Sequence, residues 1–443
     1  MAADKIGIAV IGCGVVGGAT AKLLVRDKQM LTDRIGIELN LKYIVDVDFS
    51  RAQDMGLDSS LFETDLEKVL NDPEIEICVE TIGGTTIAKD ITEKVLKRGK
   101  QIVTANKALL ALHGTELMSA ARENNAAIAF EASCGGGIPI IRALCDGLSA
   151  NRIDAFYGIV NGTCNYILTE MIQKGQSYAD ALADAQKDGL AEADPTLDVT
   201  GGDSSHKLAI MSALSFGCNI DYDKIPVSGI DTLDLDDVRY GAELGYIVKL
   251  LAIAQRTENG INLRVCPAFI SKEHPLAWVS GPFNAVSVYG SNVGHTMYYG
   301  RGAGGFPTAS AVVADIASAA MGITKLQFEK MGIWPDVTDG ADQLPPEEFE
   351  GKYYLRAMIK DEPGMLSRLS SILADHNISI ASALQKLPEE GTDAAVPIVI
   401  TTYSTKEGNI GRALEAIEAL DGVCEKPVCI GIVDEHEEFA DQD

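Results

Sequence analysis

Two hydrophobic periods alternate along the first third of the chain. Residues 6–11 (IGIAVI), 41–48 (LKYIVDVD) and 75–84 (IEICVETIGG) have apolar positions in near-continuous runs, as strands buried on both faces of a parallel sheet do. Residues 18–26 and 87–98 instead space their apolar positions three and four apart, the period of a helix with one buried face. A further strand and turn begin at residue 101 (QIVTANKALLALHG), and 126–141 (AAIAFEASCGGGIPII) reads as another buried strand running into three glycines. This alternation predicts an α/β, Rossmann-type unit with a doubly wound parallel sheet over residues 1–150.

The pattern then changes. A strand, FYGIVNG, precedes an amphipathic helix from Thr163 to Lys174, and 177–190 read as a second helix. Residues 226–290 mix short strands and helices (VKLLAIAQ, INLRVCPAFI, FNAVSVYG), so 151–304 read as an α+β unit suited to substrate binding and dimerisation. At 300–320 a glycine turn opens a long helix of small residues, expected with its continuation, 305–330, to cross back and complete the first unit. Residues 334–352 (WPDVTDGADQLPPEEFEGK) are polar, acidic and proline-containing, which predicts a linker. Residues 353–432 follow the order β-α-β-β-α-β, a ferredoxin-like unit, and the acidic tail 433–443 is expected to be disordered.

A length of 443 residues is too great for one core and suggests two to four domains. The formal charge of −27 argues against nucleic acid or an anionic membrane as partner, since both are met by basic surfaces. No apolar run approaches the ~20 residues of a membrane span, and the start leads into glycines, not a cleavage region. Apart from Cys424 and Cys429, the nine cysteines are scattered without framework spacing, which fits a reducing cytoplasm and gives no zinc signal.

Gly12-Cys13-Gly14-Val15-Val16-Gly17 lies between a strand and a helix, the context in which G-x-G-x-x-G binds a dinucleotide. Gly12 permits the tight turn, Gly14 lets backbone approach a pyrophosphate, and Gly17 lets helix and strand pack. The second strand ends in Asp46 and Asp48, suited to ribose hydroxyls, with Arg51 as the close base; NAD is favoured and NADP stays open. Lys107 falls just past a strand's C-terminal end, where doubly wound sheets bind ligands. Glu131, charged within an apolar run, needs a partner. It either joins the carbonyls of the following glycine turn in an oxygen-rich cation site or accepts backbone hydrogen bonds.

The densest chemistry lies at 189–214, GLAEADPTLDVTGGDSSHKLAIMSAL. An acidic loop with Glu192, Asp194 and Asp198 turns at Gly201-Gly202 into a helix carrying Asp203 and Lys207. Residues four apart share a helix face, and that face continues to Met211 and Leu214. An exposed ion pair is the ordinary meaning of Asp-x-x-x-Lys. Here the helix has no charged side, which predicts burial, and a buried lysine is paired or faces a cavity.

In order and spacing these motifs resemble homoserine dehydrogenase over nearly the whole chain: GCGVVG (12–17), VTANK (103–107), EASCGGGIP (131–139), GIVNGTCNY (158–166), EADP (192–195), DSSHK (203–207) and GAG (302–304). The C-terminal unit, with Asp361-x-Pro363-Gly364-x-Leu366 at its first turn, resembles an ACT domain, a module that commonly binds amino acids at paired interfaces. The resemblance implies NAD(P)-dependent interconversion of L-aspartate 4-semialdehyde and L-homoserine, on the route to threonine and methionine. It makes Lys207 the general acid and Lys107 a second lysine near the reacting oxygen and nicotinamide. It assigns Glu192 and Asp203 to the amino-acid end of the substrate. Gly12, Gly14, Val15, Val16, Gly17, Asp46, Thr104, Lys107, Gly189 and Gly304 are expected to contact the cofactor.

Glu131, Cys134, Gly136 and Ile138 match a structural monovalent-cation site (Na or K) built largely from main-chain oxygens. NADP-preferring relatives often carry a base where Val47 stands, which again favours NAD. The same resemblance implies L-threonine as effector through the ACT domain, with ligand-free assembly as the competing role. It further implies a cytoplasmic homodimer or homotetramer. A related amino-acid dehydrogenase and a non-catalytic amino-acid sensor are the competing readings, although a sensor has no need of a proton donor.

Overall fold

The computed structural model describes residues 4–330, 342–385 and 395–438. Strands β1 (Asp4–Ile11), β2 (Ile37–Val45), β3 (Phe62–Glu63), β4 (Ile75–Glu80), β5 (Gln101–Thr104) and β6 (Ile128–Ala129) form a parallel sheet in the order β3-β2-β1-β4-β5-β6. The order reverses between β1 and β4, which opens a crevice at their C-terminal ends, the ligand site of doubly wound sheets. The apolar runs become its interior: Ile8, Val10, Ile77 and Val79 are wholly buried. The helix Gly305–Ala320 crosses back and buries Val312 and Ile316 in the same cluster. It does not run on to residue 330. Gly322, in the left-handed region, breaks it, and Ile323–Lys330 leaves at 79°. That bent pair passes a length-and-composition test for a membrane span, but its first helix is a core element; no single helix among the described residues is long and apolar enough.

Three local expectations are corrected in this unit. The first helix starts at Val15, not Gly18, because its first turn faces the crevice and Val15 is exposed, so no apolar period marks it. Strand β2 ends at Val45, where Asp46 turns the chain by accepting the amides of Cys13, Val47 and Asp48. Of residues 126–141 only Ile128–Ala129 pair in the sheet. Glu131–Ser133 form a 3₁₀ turn, and Gly135 and Gly136 adopt positive φ, so the buried apolar character there belongs to a compact loop.

The second sheet comprises β7 (Ile153–Ile159), β8 (Tyr246–Thr257), β9 (Gly260–Ser271), β10 (Phe283–Gly290), β11 (Gly294–Arg301), β12 (Glu350–Ile359), β13 (Ile380–Gln385), β14 (Val396–Thr402), β15 (Thr405–Lys406) and β16 (Val428–Val433). Their order is β11-β10-β7-β8-β9-β16-β12-β14-β13, with β15 on β12. The strands expected to be short in 226–290 include the twelve-residue pair β8 and β9. Lys249 and Arg264 interrupt the apolar pattern but not the strands, because each has partners. Lys249 Nζ donates to Val279 O at 2.6 Å and Asn165 Oδ1 at 3.1 Å, and Arg264 meets Glu407 at 2.9 Å.

Strands β12, β13, β14 and β16 with the helices Met365–Asp375 and Glu407–Glu418 have the expected β-α-β-β-α-β order. Unexpectedly, β16 also pairs in parallel with β9 (Gly431 with Ala268, Val433 with Ile270), so the middle and C-terminal units share one sheet. Part of the expected linker lies outside the described residues. Within them, the amide of Ile261 donates to Asp342 O and that of Leu344 to Ile261 O, both at 2.9 Å, and 350–352 already belong to β12. At the start of the tail Asp434 meets Lys352 at 2.6 Å, and His436 packs on Tyr157 and Tyr289, so the acidic composition there has specific partners. Residues 439–443 of that tail lie outside the described residues.

Candidate active site

Gly12 has φ +95°, and a Cβ there would stand 2.7 Å from the Thr81 carbonyl carbon, so only glycine makes this turn. A Cβ on Gly17 would lie 1.9 Å from Gly12 O. Gly14 is different: nothing lies within 4 Å of the position, which leaves room for a phosphate above the N-terminus of the helix Val15–Arg26. Gly304, at φ +121°, caps the helix Gly305–Ala320, and Gly305 packs against Val15, so both glycine turns meet at one rim of the crevice. Asp46 stands beside them through its bond to the Cys13 amide. On the other side Thr104 Oγ1 donates to Glu80 Oε2 at 2.6 Å. The buried Glu80 also accepts the amides of Ile82 and Gly83 and thereby shapes the turn after β4. Glu80 carries the same sequence signal as Glu131, an acid within an apolar run, and its place at the end of β4 makes it a residue of this site.

Past β5, the Asn106 side chain caps the helix Lys107–Glu123 and places Lys107 at its first position. Lys207 stands on the second turn of the helix Gly202–Phe216, of which residues 203–213 are all buried. Both lysines reach one carboxylate: Lys207 Nζ is 2.7 Å from Asp203 Oδ2, and Lys107 Nζ 2.9 Å from Oδ1. The pair is therefore buried, not an exposed ornament. Asn161, at the end of β7, donates through Nδ2 to Asp203 at 2.9 Å and to Asp198 at 2.7 Å, while its Oδ1 caps the helix Gly162–Lys174. Burial alone would raise the Asp203 carboxyl, but the two ammonium groups outweigh it and hold the group well below the usual carboxylate range. Burial, then the nearby Asp203, pushes Asp198 upward. Attraction to Asp203 raises Lys107 in spite of desolvation.

The ammonium of Lys207 has three protons. One goes to Asp203 and one to Val160 O at 2.6 Å. Among the described residues no acceptor takes the third, which stands beside a second cation. Asn161 and Asp198 were not selected from sequence, since a polar residue ending a strand and an acid in an acidic loop look like ordinary turn residues. The expected Glu192 behaves otherwise: it is exposed on the loop before Thr196–Val199, its main-chain oxygen accepting from Gln186 at 3.1 Å, and its side chain is outside this hydrogen-bond set. Gly189, at φ +71°, starts the same loop.

A family model described as "Homoserine dehydrogenase, NAD binding domain" matches residues 12–131, one described as "Homoserine dehydrogenase" matches 139–317, and an ACT domain model matches 353–422. The homoserine dehydrogenase of Neisseria gonorrhoeae is 43% identical over 426 residues, covering 96% of this chain and 97% of that one. The chain belongs to the homoserine dehydrogenase family. It is an NAD(P)-dependent oxidoreductase with a C-terminal ACT domain. The crystal structure of a homoserine dehydrogenase from Thiobacillus denitrificans matches with a TM-score of 0.91 at 42% identity, over 97% of this chain and 99% of that one. A hyperthermophilic archaeal homoserine dehydrogenase in complex with NADPH matches with a TM-score of 0.60 at 28% identity, over 72% of this chain and 98% of that one.

Beyond the lysine pair, Glu131 finds the partners its burial demands. Its oxygens accept the amides of Ile141 and Arg142, each at 2.9 Å, with Arg142 Nε at 3.5 Å. Its own amide donates to Asp315 at 2.7 Å, and Asp315 holds Arg142 Nη2 at 2.8 Å. Burial, then the charge of Asp315, pushes the Glu131 carboxyl up to about 7, and burial raises Asp315 to about 6. Carboxyls raised in the folded state bind more protons there than when unfolded, so their stabilising contribution is present at low pH and is lost as pH rises through the folded value. Stability is therefore expected to fall between about pH 5 and pH 7.5 by on the order of 2 kcal/mol from this pair. Chemical denaturation at both pH values checks it; the fall should shrink in Asp315→Asn, and an equal slope in both proteins contradicts the assignment.

Proposed function

We propose that this chain interconverts L-aspartate 4-semialdehyde and L-homoserine with NAD or NADP, and that the proton passes through Lys207. The observation that carries the reading is the uncommitted third proton of the Lys207 ammonium, beside Lys107 on a shared carboxylate. The nicotinamide, when bound, supplies the hydride to the carbonyl carbon. Reduction builds negative charge on the carbonyl oxygen. A donor fixed beside it stabilises that charge most in the transition state, and Lys207 releases its proton to the same oxygen. In oxidation the proton returns from the hydroxyl. Lys107 adds a second positive charge near that oxygen, and Asp203 holds both lysines in place as well as facing the substrate's ammonium group together with Glu192.

Gly12, Gly14, Val15, Val16, Gly17, Asp46, Thr104, Gly189 and Gly304 line the nucleotide's path, in keeping with the open space at Gly14. The oxygens of the turn holding Glu131, Cys134, Gly136 and Ile138 are hard donors that suit sodium or potassium. The Glu131 carboxylate is already occupied there by amides, so main-chain oxygens would hold the ion. The chain would act in the cytoplasm on the route to threonine and methionine, as a homodimer or homotetramer, with threonine as effector through the ACT domain. Exposed Met297 and Tyr299 on the edge strand β11 are in keeping with self-association. Absorbance of reduced nicotinamide in purified protein with L-homoserine and NAD or NADP tests the reaction; no turnover with either overturns it.

Cofactor choice rests on the loop after β2. Val47 is 93% exposed between Asp46 and Asp48, and Arg51 lies near the glycine turn, beside Gly18. A 2′-phosphate would meet two carboxylates here, so NAD is the preferred cofactor. Val47→Arg is expected to raise kcat/KM for NADP relative to NAD several-fold; an unchanged ratio removes this loop from the choice.

A further inference from the structure

Away from the active site, the β10–β11 ladder sets His295 opposite Tyr289, whose ring stacks on it at 4.7 Å. Stacking fixes the imidazole plane, and its Nε2 is buried with no hydrogen-bond partner among the described residues. After β16 the chain crosses the face of β7 and β10. Asp434 is held by Lys352, and the His436 ring lies 6.5 Å from that of Tyr157 and 5.2 Å from that of Tyr289. These anchors deliver the exposed Glu435 and Glu438 to His295, so that one ligand atom from each of the three lies within 4.8 Å of the others. His274 stands beside them, 3% exposed, with Nδ1 accepting the Leu276 amide at 3.1 Å. In its neutral form the proton must then sit on Nε2, a buried donor without a partner among the described residues, and Glu435 and His295 are the groups whose charges reach it.

We propose that His295, Glu435 and Glu438 form a site for a divalent transition-metal ion, with Zn2+ the ion this donor set suits. An imidazole nitrogen and two carboxylates bind zinc at ~2.0–2.2 Å and leave a fourth tetrahedral position for water. Magnesium and calcium prefer oxygen ligands alone. Without an ion the two carboxylates repel each other in a chain of net charge −27, and Lys352 is already committed to Asp434. Once an ion draws the carboxylates together, the unpartnered Nε2–H of His274 is the donor at hand to orient one of them, the outer contact on which such sites depend. The ion ties the segment after β16 across the sheet to its edge strand, and so fastens the last strand of the ACT unit to the middle unit.

Calorimetric titration of tag-free, full-length protein, dialysed against chelator, with ZnCl2 tests the site. One equivalent is expected to bind, MgCl2 to give no saturable heat, and zinc to raise the Tm of the wild type. His295→Ala should weaken binding by about tenfold or more and abolish the rise in Tm. Glu438→Gln, which leaves the Tyr289 stacking intact, should weaken it likewise. Absence of saturable binding in the wild type, or binding unchanged in both variants, overturns the proposal.

Discussion

Lys207→Ala is expected to lower kcat for homoserine oxidation by roughly 10²–10⁴, with the affinity for the nucleotide little changed. The fold should survive, because Asp203 keeps Lys107 on Oδ1 and Asn161 on Oδ2 and is not left as a bare buried charge. What disappears is the ammonium between Val160 O and Asp203, and with it its uncommitted third proton. Lys207→Arg separates charge from proton donation. A guanidinium keeps the positive charge and cannot release a proton near neutral pH, so a comparably large loss of kcat assigns the role to the proton. Recovery of most activity in the arginine variant would assign it to charge alone, and wild-type rates in the alanine variant would remove Lys207 from the chemistry.

Much of this centre was legible because its parts obey local rules. A glycine turn between strand and helix, a lysine after a strand end and an Asp-x-x-x-Lys on an all-apolar helix each have a physical reading in a short window. What escaped depends on contacts between windows. Asn161 joins Asp198 to Asp203 only because β7 ends beside the helix start at Gly202. Nothing within GIVNGTCNY announces that. The pairing of β16 with β9 joins strands about 160 residues apart and carries no local signal, so one ten-stranded sheet looked like two units. Residues 126–141 erred the other way. Their apolar run does signal burial, but a compact loop whose carboxylate binds two backbone amides is as apolar around its charge as a buried strand.

The same shared sheet yields the second large effect. Arg356, on β12, donates through Nε and Nη2 to both oxygens of Asp237, at 2.6 and 2.9 Å, and Tyr354 Oη donates to the same carboxylate at 2.8 Å. Asp237 belongs to the helix Leu235–Glu243 of the middle unit and is 1% exposed. Arg356→Met leaves that carboxylate buried with a single donor. Removing one partner of such a pair costs about 3–5 kcal/mol, to be read from the denaturation midpoint at pH 7. Replacing both residues, Arg356→Met with Asp237→Leu, should recover most of that loss, since a desolvated ion pair gains little over an apolar contact of similar volume. Catalysis should stay near the wild-type rate in the double variant, because neither residue touches Lys207, Lys107 or Asp203. If threonine acts through the ACT unit, the double variant also reports whether the ion pair carries the signal: restored stability with lost inhibition assigns it to the pair, whereas retained inhibition assigns it to the continuous β9–β16 ladder. A cost below about 1 kcal/mol in Arg356→Met would show that the ladder alone holds the two units together.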